Sequence, residues 1–427
     1  MISRITAPGS RSDAAHHNRG YNGHSSPWRS PLFERITINR QSLTGEPIDL
    51  GFLAQCLIFY ERVRVVADVE TFRYLVRCCG PEELLELLQM GVLEIEFFDN
   101  MTGVATIGSN VGPLHELKAF YTNSIRYPQM SRKLFDELAG PSGKGASKMF
   151  RSFERFVERS AYTSEMLQQS HADILDPSYV GPALSSLLSF LAPEYSAPKP
   201  LVFRVHPVLK GGTYKVTTNI DFGAANASYN QHVPVSHSTL SVPFLLGHIA
   251  DTRRDLIVGS RLQSEFAVAP VRTLVASHKL AEIISAAGRG TRIAEMFQES
   301  VVDDVPSVRG VVNSGKKNFR DVARLVRQAE KFKEWLRKQG GTEDLRGPYC
   351  KEVAHLDWAD KLPPKSLRFL MMTAAGLAVG AATGPVVGAV ATAALSAGDT
   401  FLLDKLLKGW KPNHFIEGPL KQFLRDE

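Results

Sequence analysis

Three short apolar stretches near the start of the chain, residues 36–38, 63–66 and 93–98, have the β-branched and aromatic character of strands. Between the second and third lie two helical patterns. The later one opens on Gly80-Pro81-Glu82-Glu83, where proline suits the first turn and acids suit the positive end of the helix. The order strand, helix, helix, strand predicts an α/β unit over residues 34–110. Asp68 and Asp99 then fall near the C-terminal ends of two strands, where open sheets place their sites. Paired carboxylates there can bind Mg²⁺ for phosphodiester hydrolysis. Acids at strand ends are equally ordinary in solvent-facing turns, and no further acid has telling spacing.

Residues 112–190 read mainly as helices, with Phe150, Phe153, Phe156 and Val157 marking one apolar face. Within them, residues 140–145 superficially resemble a phosphate loop, but Leu138 and Gly145 stand where that loop needs Gly and Ser or Thr, so a flexible linker is expected. Two strand-like runs, 201–208 and 213–221, flank Lys210-Gly211-Gly212 and predict a β hairpin. His232 and His237 follow at an odd spacing that a strand would send to opposite faces. From Val242 a helix is expected in which His248, Asp251 and Asp255 share a face at i, i+3 and i+7. Such a triad can bind a metal. With Arg253, Arg254 and Arg261 close by, a neutralised polar face is the simpler expectation.

Charge then concentrates. Between Lys316 and Lys338 nine Lys or Arg residues stand against Asp321, Glu330 and Glu334, an excess of six that equals the formal net charge of the whole chain. Arg320, Arg324, Arg327, Lys331 and Lys338 fall along one helical stripe, with Trp335 as its only aromatic; Val322, Leu325, Val326, Ala329, Phe332 and Leu336 line the other. With Lys316 and Lys317, the stripe is the expected contact for polyanions, either nucleic acid bound without sequence reading or anionic lipid. A solvated helix answered by acidic neighbours is the bland alternative.

The uncharged run 369–398, bounded by Arg368 and Asp399, has Gly376, Gly380, Gly384 and Gly388 at every fourth position and ten alanines. Small-xxx-small spacing lets helix backbones approach closely. One straight helix of that length would be roughly 45 Å long at about 1.5 Å per residue, against a hydrocarbon layer of roughly 30 Å. Thr383-Gly384-Pro385 instead suits a turn between two helices. Lys361, Lys365 and Arg368 precede the run and Lys405, Lys408 and Lys411 follow it, so both ends would stay on the cytoplasmic side of a membrane. Its strongly apolar members sum to only about 4 kcal/mol toward insertion. A hairpin buried in protein is therefore favoured over one in lipid.

With 44% apolar and 22% charged residues, 427 residues suffice for two or three domains. The pattern divides them into a disordered N-terminal arm (1–33, with His16 and His17), the α/β unit (34–110), a helical region (111–195), a β-hairpin insertion (196–240), a helical region with the basic helix (241–345) and the Gly/Ala-rich helical hairpin with its tail (346–427). The expected fold class is α+β and mostly helical. Cys56, Cys78, Cys79 and Cys350 form no C-x-x-C pair, and no apolar segment follows the first basic residue. The expectation is a cytoplasmic location, peripheral to or inserted in the inner membrane if lipid is the target. No Ser-His-Asp, thiol, zinc or nucleotide signature has useful spacing. The expected function is a non-catalytic interaction protein without cofactor or metal, whose partner is another protein or a second copy of the chain. The alternatives are a membrane-disrupting effector of the toxin or defence kind, and a metal-dependent phosphodiester hydrolase.

Overall fold

In the computed structural model, which describes residues 33–40, 45–110, 112–120, 133–137, 145–209, 212–232, 239–262, 264–301, 306–339, 345 and 411–425, the chain is α+β and mostly helical. All of these residues belong to one unit, Pro31–Glu427. The three N-terminal apolar runs are strands: β1 (Arg35–Ile38), α1 (Leu50–Phe59), β2 (Arg62–Ala67), α2 (Val69–Cys79), α3 (Pro81–Gln89) and β3 (Leu93–Phe98) follow in order. Asp68 caps α2 by accepting from the Thr71 amide at 2.8 Å. Gly80, at φ 85°, takes the left-handed turn that lets α3 start directly on Pro81.

Next come β4 (Met101–Ile107), β5 (Leu114–Phe120), α4 (Ala146–Glu154), β6 (Val157–Ser160), α5 (Ser164–Leu175), α6 (Pro177–Leu191), β7 (Phe203–Leu209) and β8 (Thr213–Thr218). Then follow α7 (Phe222–His232), α8 (Val242–Leu262), β9 (Glu265–Ala267), α9 (Pro270–Val301), α10 (Val308–Asn313), α11 (Phe319–Gln328) and α12 (Glu330–Lys338). The described chain ends in helical pieces Pro412–Phe415, Ile416–Leu420 and Lys421–Leu424. Five strands make an all-parallel sheet in the order β6-β3-β2-β1-β9, and four make an antiparallel sheet, β4-β5-β8-β7.

Alternation along the parallel strands sorts the core. Ile36, Ile38, Val63, Val65, Leu93, Ile95 and Phe97 face one side and pack beneath α1 to α3 and α10 to α12. The C-terminal pieces join that core through Phe415, Ile416, Leu420 and Leu424, and so does Leu345. A second core lies between α6, α8 and the antiparallel sheet, around Leu184, Leu188, Tyr214, Leu245 and Ile249.

Several expectations change. The segment read as mainly helical contains β5 and β6, and Val157 opens β6 instead of continuing the helical face of Phe150 and Phe153. Its pairing beside Ile95 of β3 outweighs the local helical spacing, and Phe156 is left exposed. The central hairpin extends a sheet, because β8 pairs with β5. The basic segment is two helices separated at Ala329. Trp335 leaves the charged stripe for the core, stacked on Phe332 with ring centres 5.7 Å apart. His232 ends α7 instead of lying in extended chain. The run 369–398 with Gly376, Gly380, Gly384 and Gly388, and His237, lie outside the described residues.

Candidate functional site

In the parallel sheet β2, β3 and β6 are added in turn on one side of β1, and β9 returns to the other side. The strand order thus reverses between β1 and β9. In open α/β sheets such a reversal parts the segments leaving the C-terminal strand ends and opens a crevice where ligands bind. Both outgoing segments here lead into one polar network. Asn39 is the first residue beyond β1 and is held by its amide donating to the Ala267 carbonyl at 2.9 Å. Arg272 lies in the first turn of α9, and the third contributor is α8.

Asp255 of α8 is the hub. It accepts from the Asn39 side-chain amide, from Arg254 Nη2 at 3.1 Å and from Arg272 Nη1 at 3.0 Å. Asp251, one turn earlier, accepts from Thr102 Oγ1 of β4 at 3.0 Å. Its two ion pairs, with Arg254 and Arg272, are longer, each at 3.7 Å. Its side chain is 19% exposed, against 2% for Asp255. His248, a further turn back, sits edge-on to Phe244 with ring centres 4.6 Å apart. The sequence-predicted face of His248, Asp251 and Asp255 is therefore a buried interhelical face. Arg254 neutralises it; Arg253 turns to Asp173 and Arg261 to Glu96 instead.

Burial sets the electrostatics. It drives His248 down to about 4, helped by the Arg272 charge and opposed by Asp251, so the imidazole is neutral at ordinary pH. Burial alone would raise Asp251, but Arg254 and Arg272 hold it below the usual carboxylate range. Arg254 is raised: desolvation is outweighed by Asp251 and Asp255. Two arginines and two aspartates thus leave the network without net charge. Two of its nitrogens are buried without a hydrogen-bond partner, His248 Nδ1 and Arg272 Nε. A buried polar group left unsatisfied costs about 1–3 kcal/mol.

The other candidate residues are dispersed. Asp68 caps α2, and Asp99 pairs with Arg159 at 2.6 Å. Among the described residues no three His, Cys, Asp or Glu side chains are grouped to hold a metal. Of the basic stripe, Arg320 meets Glu83 at 3.0 Å, Arg327 meets Glu86 at 3.1 Å, Arg324 meets Asp321 at 3.5 Å and Lys338 meets Glu334 at 2.9 Å. Lys316 and Lys317 lie in the turn before α11, and Lys331 is exposed on α12. Lys333 is buried with Nζ unpartnered, and burial drives it down to about 7 against the opposing pull of Glu330 and Glu61. No helix among the described residues is long and apolar enough to cross a membrane.

Asn39, Thr102 and Arg272 escaped sequence reasoning. Each is a single polar residue beside an element boundary, and only the strand order brings them together; the one available signal was polar residues directly beyond apolar strands. Compared with protein-family models, curated proteins and solved structures, the chain has no match.

Proposed function

We propose that the chain is a non-catalytic interaction protein: an α/β body that presents the Gly/Ala-rich run for close helix packing with a second copy or another protein, with basic helices that contact anionic partners. One observation carries this reading. Leu345, before the run, and Phe415 and Ile416, after it, are all buried in the same core. The described chain on either side of the run thus belongs to one core, as a hairpin requires. The titratable groups fit a binding role, since the buried acids Glu96, Asp173 and Asp255 are each paired with arginine. A hydrolase built on Asp68 and Asp99 lacks comparable support.

The test is the mass of the purified full chain by light scattering against that of Gly380→Leu. A wild-type oligomer that the bulky substitution dissociates is expected, because leucine prevents close backbone approach. A monomeric wild type at micromolar concentration overturns packing with a second copy.

A membrane-directed effector is the second reading, favoured by a different contact. Phe415 stacks on Phe332 of α12 with ring centres 4.9 Å apart, so the return from the run lies beside the cationic helices. Basic segments next to an inserting hairpin suit an anionic leaflet. Flotation of the full chain with anionic but not neutral vesicles, lost in Val390→Asp, would select this reading over protein-only packing.

A further inference from the structure

The two aspartates at the β1–β9 reversal have unequal tasks. Asp255 is fully engaged by Asn39, Arg254 and Arg272 and is closed to solvent. Asp251 receives one hydrogen bond, from Thr102, while both guanidinium groups near it stand at 3.7 Å, beyond hydrogen-bonding reach. Its carboxylate keeps acceptor capacity and is the network's more open acid. Within the same network two buried nitrogens are unspent: Arg272 Nε, which can only donate, and His248 Nδ1, which can donate or accept. Arg272 is 5% exposed and His248 is 7% exposed. A fold that buries such groups without partners leaves bonds for something else to complete.

We propose that this junction binds a small neutral molecule with a planar donor–acceptor edge, the base of a nucleoside. The charge balance selects the class. Arg254 and Arg272 are already neutralised by Asp251 and Asp255, so a phosphate or carboxylate would bring uncompensated negative charge against two aspartates. A metal cation would meet two arginines. A neutral amide-type edge avoids both penalties. It gives a hydrogen to Asp251, takes one from Arg272 Nε and completes its set with His248 Nδ1. His248 is neutral and adaptable, with Phe244 edge-on beside it. The position fits as well, since the reversal point is where open α/β sheets bind their ligands, dinucleotides and FMN among them.

The inference is independent of the packing role proposed for the run. Its test is calorimetry together with saturation-transfer NMR on the full chain, using adenosine, guanosine, cytidine and uridine, with inorganic phosphate as the anion control. Binding of at least one nucleoside is expected, at least tenfold weaker in Asp251→Asn, with phosphate giving no signal. Should Asp251→Asn also lower the unfolding temperature, Thr102→Val provides a second reading by removing the hydrogen bond that holds the Asp251 carboxylate in place, and a severalfold loss of nucleoside affinity is expected. A folded chain that binds none of the four nucleosides overturns the proposal, as does one that binds phosphate in their place. In the first case a crystal structure with ordered water on both nitrogens would account for them.

Discussion

The two faces of the parallel sheet solve burial in opposite ways. On one, Ile36, Ile38, Val63, Val65, Ile95 and Phe97 pack against helices with almost no polar atoms among them. On the other, the alternate positions bring Arg64, Glu94, Glu96, Glu158 and Ser160 together. Glu96 is fully buried there beside Glu158, its direct neighbour on β6, a like-charge pairing that would destabilise the ladder alone. Arg64 Nη1 resolves it by reaching Glu96 at 3.3 Å and Glu158 at 2.8 Å, while Ser160 donates to Glu96 at 2.6 Å and Arg261 of α8 closes from above. The apolar face gains from dehydration and tolerates approximate shapes. The charged face depends on each partner being present, and that dependence fixes where α8 lies, and with α8 the network at the β1–β9 junction.

The largest expected effects come from breaking each face in its own way. Phe97→Ala removes a fully buried ring that packs edge-on against Phe72, and should cost about 3–5 kcal/mol. Arg64→Ala should cost roughly 3 kcal/mol, the lower end for a broken buried ion pair, because Ser160 and Arg261 still serve Glu96. Urea denaturation measures both. The faces separate in the second step: Arg64→Met combined with Glu96→Leu should recover most of the charged-face loss, since a buried pair replaced by apolar side chains is often neutral. No second substitution beside Phe97→Ala should do so unless it refills the cavity.

Acid titration tests the polar side at the junction. His248 falls to about 4 in the folded chain from an ordinary 6.5, so the unfolded chain binds more protons between those values. Stability should therefore drop as pH falls from about 6.5 toward 4, by roughly 3 kcal/mol in total at about 1.4 kcal/mol per unit. The Asp251 carboxylate facing His248, held below the usual carboxylate range by Arg254 and Arg272, stays charged over that range. His248→Gln should flatten the acid slope, and an unchanged slope would show that other groups govern it.

This contrast marks what the sequence could reveal. Strands β1 to β3, α3 and α8 were legible because each carries a strong local period or a cap. The face of His248, Asp251 and Asp255 was legible because helical spacing alone aligns it. Strand β6 was not, since Val157 becomes a strand residue only through Ile95, sixty-two positions earlier. The junction was not legible either. Asn39, Thr102 and Arg272 come from three elements whose proximity follows from strand order, and strand order leaves no mark on local periodicity. Trp335 left the charged stripe because its ring packs against Phe297 and Phe332 in the core, while a helical wheel places it only by angle.

Lys333 is the exception on the apolar side, and smaller effects are expected from it. Its ammonium has no hydrogen-bond partner, and burial brings it down to about 7, with Glu330, Glu61 and, through Glu61, Arg337 nearest in charge. Lys333→Met should stabilise the chain at neutral pH by about 1–3 kcal/mol. The sign of the pH dependence follows from the depressed value. Between about 7 and the ordinary 10.5 the unfolded chain binds the extra proton, so wild-type stability should rise with pH across that window. In Lys333→Met that rise should be absent, which thermal unfolding from pH 7 to 10 would read directly.

The smallest effect on stability is expected where charge is densest. The outer cations of α11 and α12 are the same residue types as Arg64 and Arg254, yet Arg320 is 70% exposed and Arg324 62%. Ion pairs in that setting contribute about 0–1 kcal/mol. The body answers with Glu61, Glu83 and Glu86, which halves the local excess of six positive charges. Changing Arg324, Lys331 and Lys338 together to Glu should therefore shift the unfolding midpoint little, by roughly 1 kcal/mol or less. Binding should respond differently. Contacts with phosphate release counterions, so wild-type affinity for single-stranded nucleic acid or anionic vesicles should fall steeply with salt. The triple variant should lose that affinity and its salt slope at an unchanged fold. If the variant binds as well as wild type, the cations only solvate the surface and the anionic partner meets another part of the chain. If it unfolds instead, the pairs with the body are structural, and the distinction between buried and exposed charge fails for this molecule.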